Sequence, residues 1–279
     1  MKVTADTRLI GADVHICLNG FDITSESRVY RLANSAKVSF TDHKVGGKFE
    51  GTVSGMGLKN SEIAGDGNGG ATEGGLFMQY NSNTHLNIYG GNFTFVSPTD
   101  GRTVCKNGGI LQGGGTLRIY DGVLTGGYVT GAGSVIRAWG ANTRFYFYGG
   151  TIRGGNAGGT GGNISINSNA KGAEIYFGNV TITGGQAGSV GGVYLDKNVA
   201  KVTLAGTPNI TGNSGANLYL STGVTLTLDA SLTTDARVGI IMQTNGQFAT
   251  ARTEEDLKIF TSDKSANTVI VQDGKLYIQ

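Results

Sequence analysis

The sequence has little of several residue types that define common classes of protein. Only 2 of its 279 residues are proline, only 2 are cysteine, and 15% are charged. The scarcity of proline excludes collagen and proline-rich disorder. The formal net charge of +2 creates no field that would attract nucleic acid or an anionic membrane, so we predict neither as a partner. No apolar run has the length of a membrane span.

The two cysteines and the first residues leave two questions open. Cys17 and Cys105 lie far apart and have neither a metal-ligand nor a redox spacing, which leaves a disulfide open. Residues 1–6 lack the apolar core of a signal peptide. The protein is therefore either intracellular or a segment of a longer secreted chain.

Glycine is the abundant residue, at 49 of 279, or about 18% against a usual share of roughly 7%. It recurs in pairs within a unit whose clearest copy is residues 145–155, Phe-Tyr-Phe-Tyr-Gly-Gly-Thr-Ile-Arg-Gly-Gly. This unit consists of an alternating strand, a Gly-Gly corner and a second short strand. Further copies occupy residues 86–94, 117–127, 175–185 and 202–212.

A second kind of strand, preceded by glycine, serine or asparagine, alternates with the first. Examples are residues 76–80, 110–111, 135–139, 164–166, 193–195 and 218–220. Equivalent positions of the first unit lie 28 to 31 residues apart, and no helix pattern intervenes. Such a period predicts an all-β solenoid in which equivalent strands pair in parallel. A β-propeller would need longer strands and a longer period, and the pattern of a leucine-rich repeat is absent.

Alternation within the strands predicts which side chains form the core. The inward positions are Phe145, Phe147, Ile164, Ile166, Ile175, Phe177, Val193, Leu195, Val202, Leu204, Leu218 and Leu220. Residues 53–73 break the pattern and are predicted to form a projecting loop. The repeats occupy residues 1–222, and the glycine-poor residues 223–279 are predicted to form a β cap. Its expected strands are residues 225–228, 238–242, 257–260, 269–271 and 276–278.

Several stretches together resemble the right-handed parallel β-helix modules of large surface proteins from Gram-positive gut bacteria. These are residues 17–24, residues 38–42, the Tyr-Gly-Gly-x-Ile-x-Gly-Gly units and residues 209–220. The resemblance implies a right-handed helix, secretion, attachment to the cell wall through segments outside this chain, and an adhesin-like role. Related β-helices also include pectate lyases and other polysaccharide-acting enzymes, and fold alone does not assign chemistry.

Catalytic, metal and cofactor sites find weak support in the sequence. The outward positions of the repeats form no stack of acids, so the candidate carboxylates of an enzyme are Glu62, Asp66 and Glu73 in the predicted loop. Asp42, His43 and Lys44 are consecutive and should face opposite sides of a strand. The histidines have no metal spacing, residues 66–70 lack the ligands of a calcium loop, and no cofactor is predicted.

Aromatic and basic residues at outward positions are the better candidates for binding. Tyr146 and Tyr176 are expected to stack on one face with Arg118. The other candidates are expected on a second face and are Arg137, Trp139, Tyr194 and Tyr219. Flat rings can pack on sugar rings and arginines can bind hydroxyls or carboxylates. The alternative is that neighbouring rings only stabilise the sheet.

Two functions follow as hypotheses. The first is a noncatalytic secreted cell-surface module that acts as an adhesin or spacer and binds a host or plant glycan or another surface protein. The second is a polysaccharide lyase or glycoside hydrolase with its site under the predicted loop.

Overall fold

The structure is a computed structural model and describes residues 1–3, 7–58, 75–99 and 104–279. Those residues form short β-strands in sheets of 18, 11, 3 and 2 strands, with a 3-10 helix at Glu254–Ile259. No helix in the described part of the chain is long and hydrophobic enough to span a bilayer. The predicted all-β class is therefore confirmed.

Sheet one is the 11-stranded sheet, and its central strands come from the first kind of repeat strand. Leu86 pairs with Leu117, which pairs with Phe145, at separations of 31 and 28 residues. The pairing is parallel up to the strand at Gly246–Thr250, and the last two strands pair antiparallel. In spatial order its strands are Asp13–Cys17, Lys37–Thr41, His85–Ile88, Thr116–Ile119, Arg144–Phe147, Ala173–Phe177, Val199–Leu204, Leu226–Leu228, Gly246–Thr250, Lys275–Ile278 and Val269–Gln272.

The 18-stranded sheet contains two parallel ladders. Ladder two runs through Lys2–Val3, Ile23–Ser27, Thr52–Leu58, Asn92–Phe95, Val123–Thr125, Thr151–Arg153, Thr181–Thr183 and Asn209–Ile210. Ladder three runs through Thr7–Ile10, Tyr30–Ala33, Phe77–Gln79, Leu111–Gly113, Ile136–Ala138, Ile164–Ile166, Val193–Leu195, Leu218–Leu220, Arg237–Met242 and Phe260–Ser262. The strand Arg237–Met242 pairs with both ladders and joins them.

Two small sheets lie outside these ladders. One contains Tyr128–Val129, Asn156–Ala157 and Gln186–Ala187, and the other is the hairpin of Lys44–Val45 with Lys48–Phe49. Stacked parallel ladders from successive repeats are compatible with a parallel β-helix.

The core is built from the side chains that alternation placed inward. All twelve predicted core residues are buried, each at most 2% exposed. Phenylalanines of successive repeats stack within it, with the rings of Phe147 and Phe177 5.4 Å apart between centroids. Because each repeat has only one apolar side, stacking the repeats buries that side against its neighbours.

Glycine is required where the backbone turns sharply between strands. Gly161 has φ +66°, and a Cβ built on it would lie 2.1 Å from the carbonyl oxygen of Ile164. Both the positive φ and this close approach exclude a side chain. The glycine-rich composition is thus a consequence of how the repeats turn.

Apart from the strand ladders, a row of hydrogen-bonded polar side chains links successive repeats. We call the set of Asn163, Asn213, Asn217 and Asp263 the asparagine spine. The amide of Asn163 donates to Oδ1 of Asn213 at 2.9 Å, and Nδ2 of Asn213 donates to Oδ1 of Asn217 at 3.0 Å. The backbone N and Nδ2 of Asn217 donate to the two carboxylate oxygens of Asp263, each at 2.7 Å. Asn163 is fully buried and the others are partly buried.

Two local predictions need correction. The first six residues of the predicted loop at 53–73 belong to the strand Thr52–Leu58, and residues 59–73 lie outside the described part. The expected strand at residues 257–260 is instead the end of the 3-10 helix followed by the strand Phe260–Ser262. The cause of the second error is Asp256, whose carboxylate accepts from the backbone N of Arg252 and of Thr253 and so favours a helix start.

Candidate functional site: an exposed tyrosine strip

One outward column of sheet one carries polar and aromatic side chains in strict register. Asn87 pairs with Arg118, and Arg118 pairs with Tyr146. Tyr146 pairs with Tyr176, which pairs with Thr203. This is the column that strand alternation predicts, and its arginine and tyrosines are partly exposed.

A second outward column lies two residues further along the same strands. Tyr89, Tyr120 and Tyr148 follow the strand ends and are 45%, 40% and 36% exposed. The ring centroids of Tyr89 and Tyr120 are 4.6 Å apart with planes 2° from parallel, and those of Tyr120 and Tyr148 are 5.0 Å apart at 20°. These separations match the strand spacing of a sheet, so the register itself holds the rings face to face.

Tyr148 joins the two columns. Its ring stacks on Tyr146 at 6.0 Å between centroids with planes 7° apart, and it meets Tyr176 at 5.3 Å in a tilted contact. Tyr146 and Tyr176 therefore share one face as predicted, but the ring contacts run through Tyr148 instead of the expected direct stack. We call the five rings of Tyr89, Tyr120, Tyr146, Tyr148 and Tyr176 the tyrosine strip.

Arg118, a member of the first column, contacts the strip. Its guanidinium carbon is 5.5 Å from the ring centroid of Tyr146, a cation–π contact, and Nη1 lies 3.3 Å from Nδ1 of His85. Burial lowers the pKa of His85, and the positive charges of Arg118 and Lys37 lower it further, against a smaller raising effect of Asp13. A neutral His85 can accept the hydrogen bond that Arg118 donates.

Burial also affects the tyrosines themselves. It raises the pKa of Tyr120, together with the neighbouring rings of Tyr89 and Tyr148. The pKa of Tyr176 is likewise raised by burial and by the nearby carboxylate of Asp229. Tyr120 and Tyr176 therefore present neutral phenols, whose hydroxyl groups can both donate and accept hydrogen bonds.

No family model, no curated protein and no solved structure matches this chain. The function is therefore inferred from the side chains of the strip. Stacked faces with hydroxyl edges and one adjacent guanidinium can bind a flat, hydroxylated ligand.

The other predicted binding residues lie on ladder three and form a smaller feature. The rings of Tyr194 and Tyr219 stack 5.2 Å apart with planes 13° from parallel, as predicted. Arg137 lies in register with Tyr194 but two strands away, and Ser165 on the strand between them is only 1% exposed. The indole N–H of Trp139 is buried, with no hydrogen-bond partner among the described residues. Arg137 and Trp139 therefore do not extend the exposed pair.

The carboxylates proposed for an enzyme, Glu62, Asp66 and Glu73, lie outside the described residues, so that alternative stays a prediction. Within the described ranges, no three His, Cys, Asp or Glu side chains gather as a metal site would require. Cys17 is exposed, Cys105 is buried, and the two do not form a disulfide.

The consecutive Asp42, His43 and Lys44 each have structural partners, and Nδ1 of His43 also lies 3.7 Å from Oδ1 of Asp42. The carboxylate of Asp42 accepts hydrogen bonds from the backbone N of Gly20 and of Gly51. His43 contacts the carboxylate of Glu50 at 3.1 Å, and Lys44 pairs with Asp121 at 2.6 Å. Asp121 occupies a position held by glycine in other copies of the unit and also accepts from the backbone N of Gly122, as a corner residue would.

Sequence reasoning missed the most exposed members of the strip. Tyr89, Tyr120 and Tyr148 are not among the binding residues predicted from the sequence. The available signal was the same aromatic residue at the same position of three successive units, immediately before the corner. Equivalent positions in a stack of parallel strands become neighbours in space.

Proposed function

We propose that this chain is a noncatalytic binding module that holds a glycan along the tyrosine strip. The observation that carries this proposal is the stack of Tyr89, Tyr120 and Tyr148, three rings in register that remain 36% to 45% exposed. A ring that only stabilised the sheet would gain more by burying its free face. Exposed aromatic faces in a row fit a ligand that is itself extended and repetitive.

We further propose that the scaffold is a right-handed parallel β-helix with coils of about 28–31 residues and a C-terminal cap at residues 223–279. Support comes from the parallel ladders that connect equivalent strands and from the antiparallel pairing of Val269–Gln272 with Lys275–Ile278 at the end of sheet one. A rigid solenoid fixes the spacing of the rings before any ligand arrives. Less ordering is then needed on binding.

The setting that fits such a module is the outside of a Gram-positive cell, where it would serve as an adhesin-like segment or spacer. The resemblance to bacterial surface β-helices supports this location. The outward column from Asn87 to Thr203 also supports a binding role, because tyrosines and an arginine stand where a hydrolase of this architecture would need paired carboxylates.

A glycan array, followed by pull-down with mucin and plant polysaccharides, tests the proposal. We expect the wild-type chain to bind at least one polysaccharide, and Tyr120→Ala to reduce the affinity roughly tenfold, because a central contact residue usually contributes more than about 1 kcal/mol. The matched control is Tyr128→Ala, which removes a 42% exposed tyrosine that lies on the three-stranded sheet and outside the strip.

Two results would overturn the proposal. One is equal loss of binding in both tyrosine variants, which would indicate nonspecific adhesion. The other is release of reducing sugars or of unsaturated products from the same panel by wild-type protein, which would establish an enzyme. The variants should also unfold at nearly the wild-type urea concentration, since stacked cross-strand pairs contribute only about 0.2–1 kcal/mol each.

A further inference from the structure

Arg118 differs from the cations that surround it. Lys37 pairs with Asp13 at 3.8 Å, Lys44 with Asp121 at 2.6 Å, and Arg144 with Glu174 at 3.7 Å. These three cations border the strip and each has a carboxylate partner. Among the described residues, Arg118 has none: its contacts are the imidazole of His85 and the ring of Tyr146.

The contacts of Arg118 orient its guanidinium without neutralising it. The ring of Tyr146 lies beside the guanidinium plane, and the hydrogen bond to His85 engages one of the five N–H donors that an arginine carries. The other donors retain the forked geometry that suits a carboxylate or another planar anion. An oriented cation with unused donors, at the middle of a row of rings, has the features of an anion-binding position.

We infer that the ligand of the strip is an acidic glycan, whose sugar rings lie on the tyrosines and whose anionic group binds Arg118. This inference rests on the proposed function and adds the chemical class of the ligand. The carboxylate of a uronic acid and a sulfate ester share the chemistry that Arg118 recognises.

The electrostatic surroundings agree with this placement. Burial is the main cause that lowers the pKa of His85, and the positive charges of Arg118 and Lys37 add to it, against a smaller raising effect of Asp13. Lys37 is paired with Asp13 at 3.8 Å, so Arg118 is the cation beside His85 that has no carboxylate partner among the described residues. An acidic group on the ligand would meet a favourable field at this point of the strip.

Isothermal titration of the full chain with three probes tests the inference: oligogalacturonate, its fully methyl-esterified form, and a sulfated galactan that carries no carboxylate. We expect the wild type to bind one acidic probe roughly tenfold or more tightly than the neutral ester, since a charge-assisted hydrogen bond usually contributes about 1.5–3 kcal/mol. Oligogalacturonate as the tighter ligand would identify the carboxylate, and the sulfated galactan would identify the sulfate.

Arg118→Gln should remove the preference for the acidic probe and leave the affinity for the ester unchanged. The matched control is Arg153→Gln, which removes the same charge from an exposed arginine on ladder two whose Nε contacts Thr125 Oγ1 at 3.4 Å. Equal effects of the two variants would overturn the inference, because they would indicate attraction by net charge alone. So would equal wild-type affinity for acidic and neutral probes.

The proposed function and this inference fail in different ways. If Tyr120→Ala binds every probe as the wild type does, the strip is not the site and both fail. If Tyr120→Ala loses binding while Arg118→Gln keeps the preference for acid, only the inference fails. A shift of the His85 ring resonances on addition of the acidic probe supports contact at Arg118 by a readout that does not depend on affinity.

Discussion

The tyrosine strip and the asparagine spine are both ladders of polar-edged side chains that bridge successive repeats, and they differ in what surrounds them. The strip lies on the outer face of sheet one, and Tyr89, Tyr120 and Tyr148 keep 36% to 45% of their surface. In the spine, Asn163 has no exposed surface and every step is a hydrogen bond of 2.7–3.0 Å. Strand register aligns the side chains in both sets, but only the tyrosine strip leaves its side chains exposed to a ligand.

The difference separates the requirements of stability from those of recognition. Amides in the spine satisfy backbone groups that the turns between strands leave unpaired, such as the N–H of Gly155 and of Gly185. Removing such a partner leaves a shielded polar group without a hydrogen bond. Within the part of the chain that the structure describes, the tyrosines of the strip make no such hydrogen bond to a backbone group. We therefore expect substitutions in the spine to affect folding and substitutions in the strip to affect binding.

Among substitutions in the spine or the strip, Asn213→Ala should have the largest effect on stability. The side chain of Asn213 accepts from Asn163 and Gly185 and donates to the carbonyl of Ile182 and to Asn217. Its loss leaves several shielded donors and acceptors unsatisfied, so we expect the free energy of unfolding to fall by about 3 kcal/mol. Urea denaturation followed by circular dichroism measures this change.

Asn209→Ala is the control for that variant. The exposed side chain of Asn209 makes one hydrogen bond, from the hydroxyl of Thr211, and its loss should change stability by no more than about 0.5 kcal/mol. Similar losses in the two variants would contradict a special role for the spine. The comparison between the two ladders would then rest on exposure alone.

Much of the core could be predicted from the sequence, because period-two alternation and glycine pairs are local signals. Phe145 and Phe147 alternate with tyrosines, and the structure buries both. The spine could not be predicted, since the side chains of Asn213, Asn217 and Asp263 meet only after turns of irregular length bring them together. The 3-10 helix at Glu254–Ile259 was missed for a similar reason: its apolar spacing also fits a strand, and the side-chain hydrogen bonds of Asp256 decide between them.

The candidate site was predicted in part. Alternation placed Arg118, Tyr146 and Tyr176 on one face, and their register agrees. Alternation did not predict that Tyr148 contacts the rings of both Tyr146 and Tyr176, because a tyrosine at a strand end can turn toward either neighbouring strand. Arg137 was grouped with Tyr194 on the same reasoning, but the intervening Ser165 is buried, which sequence alternation alone does not reveal.

The pH dependence of stability should distinguish the carboxylate at the end of the spine. Burial raises the pKa of Asp263 above its ordinary value of 3.8, against the lowering effect of the hydrogen bonds from Asn217. A raised pKa in the folded state means that the stability contributed by protonated Asp263 is fully present below pH 3.8 and is lost as the pH rises through the raised pKa. The unfolding free energy of the wild type relative to Asp263→Asn should therefore fall over that window, by about 1.4 kcal/mol per unit of pKa difference.

Asp256→Asn provides the opposite sign within the same protein. Burial tends to raise the pKa of Asp256, but hydrogen bonds from Arg252 and Thr253 outweigh it and lower the pKa below 3.8. The stability that this carboxylate contributes is present above its ordinary pKa and is lost as the pH falls. If the two variants changed the pH profile in the same direction, the assignment of Asp263 as a carboxylate with a raised pKa would be wrong.

The smallest expected effect is a change in the pKa of His85. This change reports whether the side chains of the tyrosine strip are as ordered as those of the asparagine spine. Burial is the main cause that lowers this pKa below 6.5, and Arg118 and Lys37 add to it. Arg118→Gln removes a positive charge 3.3 Å from the imidazole, so the pKa should rise while burial keeps it below 6.5. The wild type should accordingly lose a little stability as the pH falls below 6.5 through the lowered pKa, and the variant should lose less.

Nuclear magnetic resonance titration of the imidazole C–H signals measures this pKa directly, and only His15, His43 and His85 contribute signals. Arg153→Gln should leave the pKa of His85 unchanged, because that arginine lies on ladder two. A pKa that does not move in Arg118→Gln would mean that the guanidinium is not held against the imidazole in solution. The strip would then lack the fixed cation that an acidic ligand needs, whereas a rise would establish that an exposed ladder can be ordered without being buried.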